Sequence, residues 1–433
     1  MQYTVESMRT VPEGYAWSRF GQPEYTDWLD ESLSWKQTCY IGDWSFLWQH
    51  RITGPDALRL LSDFTVNSMA SFAIGQSKHA IHTDDDGKVI HEGVLTRFGE
   101  EEFMVHGRGG FWLKFNAERG NYRAEVTRDD WFVLQVSGPE SIKVLRKLDR
   151  SDALLTTKYM HVAPMTVAGH EIHALRQGMS GELGFELQGP VEWKADVYGA
   201  IMEAGAEFGI RRMGGRVAPI NHLEAGYPTI ATDYIPAIFG NPEYVDYFMA
   251  SMPPFALPAY IAGSYRGRAI DEYYRSPIEL GWGRVVNGDH EFPGREVLLK
   301  ERERPRRVLR TLVWNSDDVA DVLASLVRDE QHYTFMELPR DQRGFMWADR
   351  VEQDGRLVGV ATSRGFSYWF RKTLSLATID VESAEIGNEV QVIWGNPGDP
   401  EKRIRAAVAA APFKSPRSRG DLALAAGVST DLR

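Results

Sequence analysis

Read for strand alternation and helical spacing, the chain runs through one plan three times. RITGPDALRLLSD (51–63), LQVSGPESIKVLRKL (134–148) and FELQGPVEWKADVYGAIM (185–202) each carry a short strand into Gly-Pro and then an amphipathic helix. Glycine turns the chain, and proline is tolerated at the first helical position because its missing N–H would be unbonded there anyway. Ala57, Leu58 and Leu61 share one helical face in the first copy, and Ile142, Leu145 and Leu148 share one in the second. Between the copies, TDDDGKVIHEGVL (83–95) sets Asp86-Gly87 between two β-prone runs, which predicts a hairpin. GEEEF (99–103) turns into a further strand, FMVHG. The first two-thirds of the chain is therefore predicted to be α+β with antiparallel sheets.

The pattern breaks near residue 300. KERERPRRVLR (300–310) is a charged run around Pro305, and beyond it VLRTLVW, GRLVGVATS, TLSLATID and NEVQVIW alternate as short strands separated by turns. At 433 residues the chain is too long for a single core. The expected organisation is an α+β region of two domains over 1–299, a charged linker at 300–310, a β-rich domain over 311–412 and a surface tail over 413–433.

Composition narrows the function. A net charge of −11 disfavours nucleic acid as a partner. No apolar run reaches the ~18 residues of a membrane span. The opening MQYTVESMRT lacks a signal-peptide core, so a cytoplasmic protein is expected. The single cysteine, Cys39, excludes an intrachain disulfide and a Cys-rich metal site. HEIH (170–173) has a two-histidine spacing but sits in a strand-like context, where the imidazoles do not converge, so no metal is expected. HGRGG (106–110) lacks the spacing of a dinucleotide turn and shows no helix after its strand. Its Arg108 is a candidate carboxylate clamp, because guanidinium grips carboxylate with a two-pronged fork. Aromatic residues crowd the stretch from Trp17 to Trp48, and several are expected to line a pocket. GMSGELGFEL (178–187) holds Glu182 and Glu186 among three glycines, a permissive setting for two carboxylates.

The order of several motifs resembles that of the glycine-cleavage T-protein (aminomethyltransferase) family. GMSGELGFEL is similar to its Tyr-Thr-Gly-Glu-x-Gly-Phe-Glu segment, and INHLEAGYP (220–228) to its Leu-Arg-Leu-Glu-Ala-Gly segment. SPIELGWGRVV (276–286) with EFPGREVLLK (291–300), and GVATSRGFSYWFRKTLSLATI (359–379), resemble two further blocks in the same order. The resemblance implies a three-domain ring with tetrahydrofolate in its central hole and a small C-terminal β barrel. It places Glu186 at the pterin edge, where a carboxylate accepts paired N–H donors. Phe185, Glu224 and Tyr227 join it as expected cofactor residues.

The departures point to one branch. Where the T-protein carries an Asp-Asp pair after its hairpin turn, this chain has His91 and Glu92, and His222 replaces the arginine of the Leu-Glu-Ala-Gly segment. PEYTDWLDESLSWKQTCYIGDWS (23–45) resembles the N-terminal region of bacterial tetrahydrofolate-dependent O-demethylases acting on vanillate, 3-O-methylgallate or syringate, in the breakdown of lignin-derived aromatics. The tyrosine that some of those enzymes carry ahead of the Leu-Glu segment is absent, since Val217, Ala218 and Pro219 stand there. The implied reaction moves a methyl group from a methoxylated aromatic acid to N5 of tetrahydrofolate, giving a phenol and 5-methyltetrahydrofolate. Glu92 and His91 are then the expected catalytic groups. Arg108, Trp44, Trp48, Tyr40 and His50 are the expected substrate contacts, and His91 or His50 the proton donor. The aromatic-lined first 50 residues are ill-suited to docking a lipoyl carrier protein. Two other readings are another folate-dependent one-carbon transferase, with an aminomethyl, N-methyl or S-methyl donor, and a non-enzymatic folate-binding module.

Overall fold

The computed structural model describes residues 20–251, 261–341 and 346–427, together with Val5 and Met8. Trp17, most of the opening segment read above for a leader, and tail residues 428–433 lie outside the described residues.

The architecture is α+β, with two mainly antiparallel sheets followed by a closed barrel. The first sheet orders its strands Ser77–Thr83, Val89–Arg97, Glu102–Gly107, Gln49–Thr53 and Glu125–Asp129. The second orders Arg211–Arg212, Tyr40–Asp43, Trp131–Ser137, Gly184–Pro190, His170–Leu175 and Val162–Val167. The Asp86-Gly87 turn joins the first two strands of the first sheet, with Gly87 at φ +71. The barrel closes through Arg307–Trp314, Lys372–Asp380, Arg356–Ser367, Asp349–Gln353, Glu389–Trp394 and Lys402–Ala409. Residues 300–310 run from the end of the helix Arg295–Glu303 into the first barrel strand.

Each Gly-Pro copy turns a strand into a helix packed on its own sheet. Ala57, Leu60 and Leu61 of Ala57–Phe64 are buried against the first sheet, and Ile142, Val144 and Leu145 of Ser141–Leu148 against the second. Gly54 at φ +112 and Gly138 at φ +129 make the turns, and a Cβ at either would strike the carbonyl of Arg123 or Thr38. In the third copy a short 3-10 turn, Val191–Trp193, precedes the helix Lys194–Gly205. The HGRGG segment does enter a helix, Gly109–Arg119, despite the low helix propensity of its glycines. Gly109 and Gly110 lie where a Cβ would strike His82 and His50, so they let this helix sit close on the sheet.

The early aromatic cluster is mostly cement between parts. Trp35, Tyr40 and Trp44 are buried with Val133, Leu223 and the barrel residues Leu309, Leu374 and Leu376. At this junction Glu224, 1% exposed, accepts from Trp35 Nε1 at 3.0 Å, from Lys36 Nζ at 2.7 Å and from Ser367 Oγ. One carboxylate thus ties the helix Trp28–Gln37, the helix Ala218–Ala225 and the barrel together. Residues 413–427 cross the surface but are anchored, with Leu422 buried in the second sheet's core. Removing one partner of a buried ion pair leaves the other charge uncompensated. Lys36→Met should therefore destabilise the fold by ~3–5 kcal/mol in denaturant titration; a loss below ~1 kcal/mol would show that the pair is solvated.

Candidate active site

Successive residues of a strand face opposite sides, and this decides which side chains can meet. In the first hairpin Ile81 pairs with Glu92 and His79 with Val94, so His79 and Glu92 are diagonal neighbours on one face. His79 Nε2 lies 2.8 Å from Glu92 Oε2 and 3.1 Å from Tyr227 Oη, and Tyr227 donates to Glu92 Oε2 at 3.3 Å. Tyr227 follows Gly226, whose φ of +63 ends the helix Ala218–Ala225. Trp282 meets His79 edge-on at 4.8 Å and leans on Tyr227 at 6.0 Å. Desolvation, then the Glu92 charge, raises the Tyr227 phenol well above its ordinary range, so it remains a donor.

The second sheet contributes the facing side. Tyr40, Gln135 and Glu186 share one face through the strand pairings, and the Tyr40 hydroxyl donates to Gln135 Oε1. Glu186 Oε1 accepts from Gln177 Nε2 at 3.1 Å and from Gln135 Nε2 at 3.5 Å. Among the described residues no cation pairs with it, and burial pushes its carboxyl up to about 7. Trp44, clustered with Tyr40, stacks on His222, and His222 meets Tyr227 at 5.9 Å, so the Glu186 side and the Glu92 side approach each other here.

Several buried polar atoms near these side chains have no hydrogen bond among the described residues. They are the amide atoms of Gln188 and Asn221, both ring nitrogens of His106, Nε2 of His222 and the Tyr234 hydroxyl. Gln188 stands beside both Glu186 and His106 without a well-aligned bond to either. His106 pairs with Val94, on the Glu92 face. Each such atom costs ~1–3 kcal/mol unless something bonds it. A cluster of them makes this the candidate polar ligand site.

The structure brings Glu92, Tyr227, Glu186 and Tyr40 together here. Trp44 stands at the edge, stacked on His222 at 5.1 Å and 9°. Alternation turns Phe185, His91 and His50 away from this face, and Trp48 and Glu224 are taken up by other contacts. Phe185, next to Glu186, is buried in the second sheet's hydrophobic core. His91, next to Glu92, faces the opposite side, where Nε2 pairs with Tyr244 Oη at 2.8 Å and the ring lies 5.3 Å from Phe248. His50 and Trp48 pack on Phe111 of the helix Gly109–Arg119, at 4.6 and 5.5 Å. Burial lowers His50 to about 4 and His91 well below its usual value, so neither carries an imidazolium proton at neutral pH. Glu224 is committed to Lys36, Trp35 and Ser367. Arg108 precedes the helix Gly109–Arg119, and its charge reaches His91, Tyr244 and Tyr234.

Sequence reasoning missed His79, Trp282, Gln135, Gln177, Gln188 and His106. The signal for His79 was present. Counting outward from Asp86-Gly87 pairs His82 with His91 and Ile81 with Glu92, which puts His79 on the Glu92 face. No local signal marks the glutamines, which come together only when the strands pair. HEIH lies in the strand His170–Leu175, with His170 bonded to Asp196 and His173 stacked on Trp131. No group of three or more metal-ligating side chains forms among the described residues, and no helix there is long and apolar enough to cross a membrane.

The fold matches that of the glycine cleavage system aminomethyltransferase T from Bartonella henselae, with a TM-score of 0.68 and 18% identity over 95% of this chain and 97% of that one. Residues 9–239 match the GCVT N-terminal domain family, and the chain belongs to that glycine-cleavage T-protein family. Among curated relatives, a sesamin methylene transferase from Sinomonas sp. is 32% identical over 90% of this chain and 89% of its own length. A syringate O-demethylase from Sphingobium sp. is 30% identical over 95% of this chain and 93% of its own length.

Burial, not a partner, sets the Glu186 titration, and this gives a pH signature. A carboxyl raised from 4.5 to about 7 on folding binds its proton more tightly in the folded state. Its protonation favours the fold below pH 4.5, and that contribution is lost as pH rises to about 7. Glu186→Gln should therefore be more stable than the parent above pH 7, by on the order of 1–3 kcal/mol, and equal to it near pH 4. Denaturant titration across this range tests it; an equal difference at every pH would mean that Glu186 does not titrate there.

Proposed function

We propose that this family member is a tetrahydrofolate-dependent O-demethylase that moves the methyl group of a methoxylated aromatic acid to N5 of tetrahydrofolate. The chain is a transferase enzyme of its family, and the observation that carries the finer reading is the pairing of Glu186 with the Glu92–His79–Tyr227 set around one polar space. The residues fit a pterin. Glu186 is a buried carboxylate without a cation among the described residues, suited to the two adjacent N–H donors of the pterin edge, and the unbonded atoms of Gln188, His106 and Asn221 suit its other polar groups. Tetrahydrofolate would supply the nucleophilic nitrogen that accepts the methyl group.

The chain's own groups do the rest. Glu92 is held by Tyr227 and by His79 Nε2, so its carboxylate is fixed rather than free to rotate. Displacement of an aryl ether leaves a phenolate that needs a proton or a positive field. His79, held between Glu92 and Tyr227 on the open face, is better placed to give that proton than His91 or His50 beneath the sheet. Arg108 would hold the aromatic carboxylate and so select which methoxy group faces the acceptor. The similarity to the syringate O-demethylase supports a methoxy donor. The similarity to the sesamin methylene transferase supports a second reading, in which the group moved is a methylene.

Incubation with tetrahydrofolate and a panel of methoxybenzoates, without oxygen and with chelator, should release equal amounts of phenol and 5-methyltetrahydrofolate. Mass analysis giving methylenetetrahydrofolate, and only from a methylenedioxy donor, would favour the second reading. Formaldehyde, or dependence on oxygen and reduced nicotinamide, would overturn both. Glu92→Gln should lower kcat by ~10²–10⁴ with little change in folate affinity. Arg108→Lys should raise KM for a benzoate and leave an analogue without the carboxylate unaffected.

A further inference from the structure

Glu182, the second glutamate of GMSGELGFEL, has no part in the site just described, yet it is only 3% exposed. Its carboxylate accepts from Lys414 Nζ at 3.1 Å and from Arg417 Nε at 2.7 Å, both on the C-terminal segment. The same segment adds two backbone bonds, from the N–H groups of Arg417 and Ser418 to Gly181 O at 2.6 and 3.1 Å. Beyond it, Leu422 is buried in the second sheet's core. Arg176, next to Gln177, donates to Gly420 O at 2.5 Å.

The loop has no slack between these anchors and the sheet. Ser137 Oγ lies 2.9 Å from Ser180 Oγ and donates to Leu183 O at 2.9 Å. A Cβ at Gly178 or Gly184 would strike Ser137, so these glycines serve close contact with the neighbouring strand. Gly181 takes φ +69 where the tail crosses it. The two ends of this loop carry Gln177 and Glu186, which bond each other at 3.1 Å. Fixing the loop therefore fixes the carboxylate and the amide that orients it.

We infer that the C-terminal segment is a strap for the folate site: Glu182, Lys414 and Arg417 are positioning residues that hold loop 178–184, and through it Gln177 and Glu186, in the geometry that receives the pterin edge. The inference rests on the folate reading above for its ligand, but the strap itself can be read without any ligand. Breaking the strap loosens the loop without touching Glu92, His79 or Arg108, so it weakens folate binding and spares the aromatic donor.

The test uses the full chain with Arg417→Gln, Arg417→Lys and Glu182→Gln. Arg417 has a side chain 57% exposed, so its loss threatens folding little and keeps the test sound if Glu182→Gln does not fold. In the ligand-free protein, amide hydrogen exchange over 178–184 should speed up in both Gln variants and stay slow in Arg417→Lys. Calorimetric Kd and KM for tetrahydrofolate should rise on the order of tenfold in the same two variants. kcat at saturating folate and KM for the methoxybenzoate should stay within about twofold. Folded Gln variants with parental exchange and parental folate affinity would overturn the inference. Lowered melting temperature with unchanged Kd would reduce the contacts to stability alone. Failure of the parent protein to bind tetrahydrofolate would sink the proposed function instead, and the exchange measurement would still report on the strap.

Discussion

The period of two along a β strand is the constraint on which this molecule depends. Each of the first two sheets has an apolar face covered by helices and a polar face left to look inward. Glu92 and His79 stand on one polar face, Glu186 and Gln135 on the other, with Tyr227 brought between the carboxylates by the turn after Ala218–Ala225. A single-residue slip in either sheet would exchange Glu186 for Phe185, or Glu92 for His91, and replace a polar site with a hydrophobic wall. The helices set by the three Gly-Pro turns hold the register, because their apolar faces fit only one side of each sheet. The geometry of the candidate site is thus a by-product of correct burial on the reverse side.

Much of this was legible in the sequence. The hairpin, the Gly-Pro helices and the alternating strands past residue 300 are local patterns, and each became the element its pattern described. Glu92, Glu186 and Tyr227 were legible through motif order. What escaped was facing. Phe185, His91 and Glu224 belong to the right motifs, yet alternation or a buried ion pair takes them out of the site. Treating a motif as a block of ligands ignores that every second residue of a strand points away. His79 escaped for the converse reason: it sits in no motif, and only the pairing across the hairpin reveals it. The glutamines around Glu186 depend on tertiary packing and left no trace in their own neighbourhoods.

The two glutamates of the glycine-rich loop show how environment divides identical chemistry. Glu182 is surrounded by Lys414 and Arg417, so its charge is met in full and spent on tying the chain together. Glu186 is buried and, among the described residues, meets amides rather than a cation, and burial pushes its carboxyl up to about 7. A buried carboxylate left in that condition costs stability that the protein recovers only when donors arrive. The same contrast separates Glu224, saturated by Lys36 and Trp35, from Glu92, which keeps its place through His79 and Tyr227. Carboxylates met by lysine or arginine tie the chain together here, while Glu186, met by amides among the described residues, is left short of donors. Which is which follows from the partners and not from the residue type or the motif that carries it.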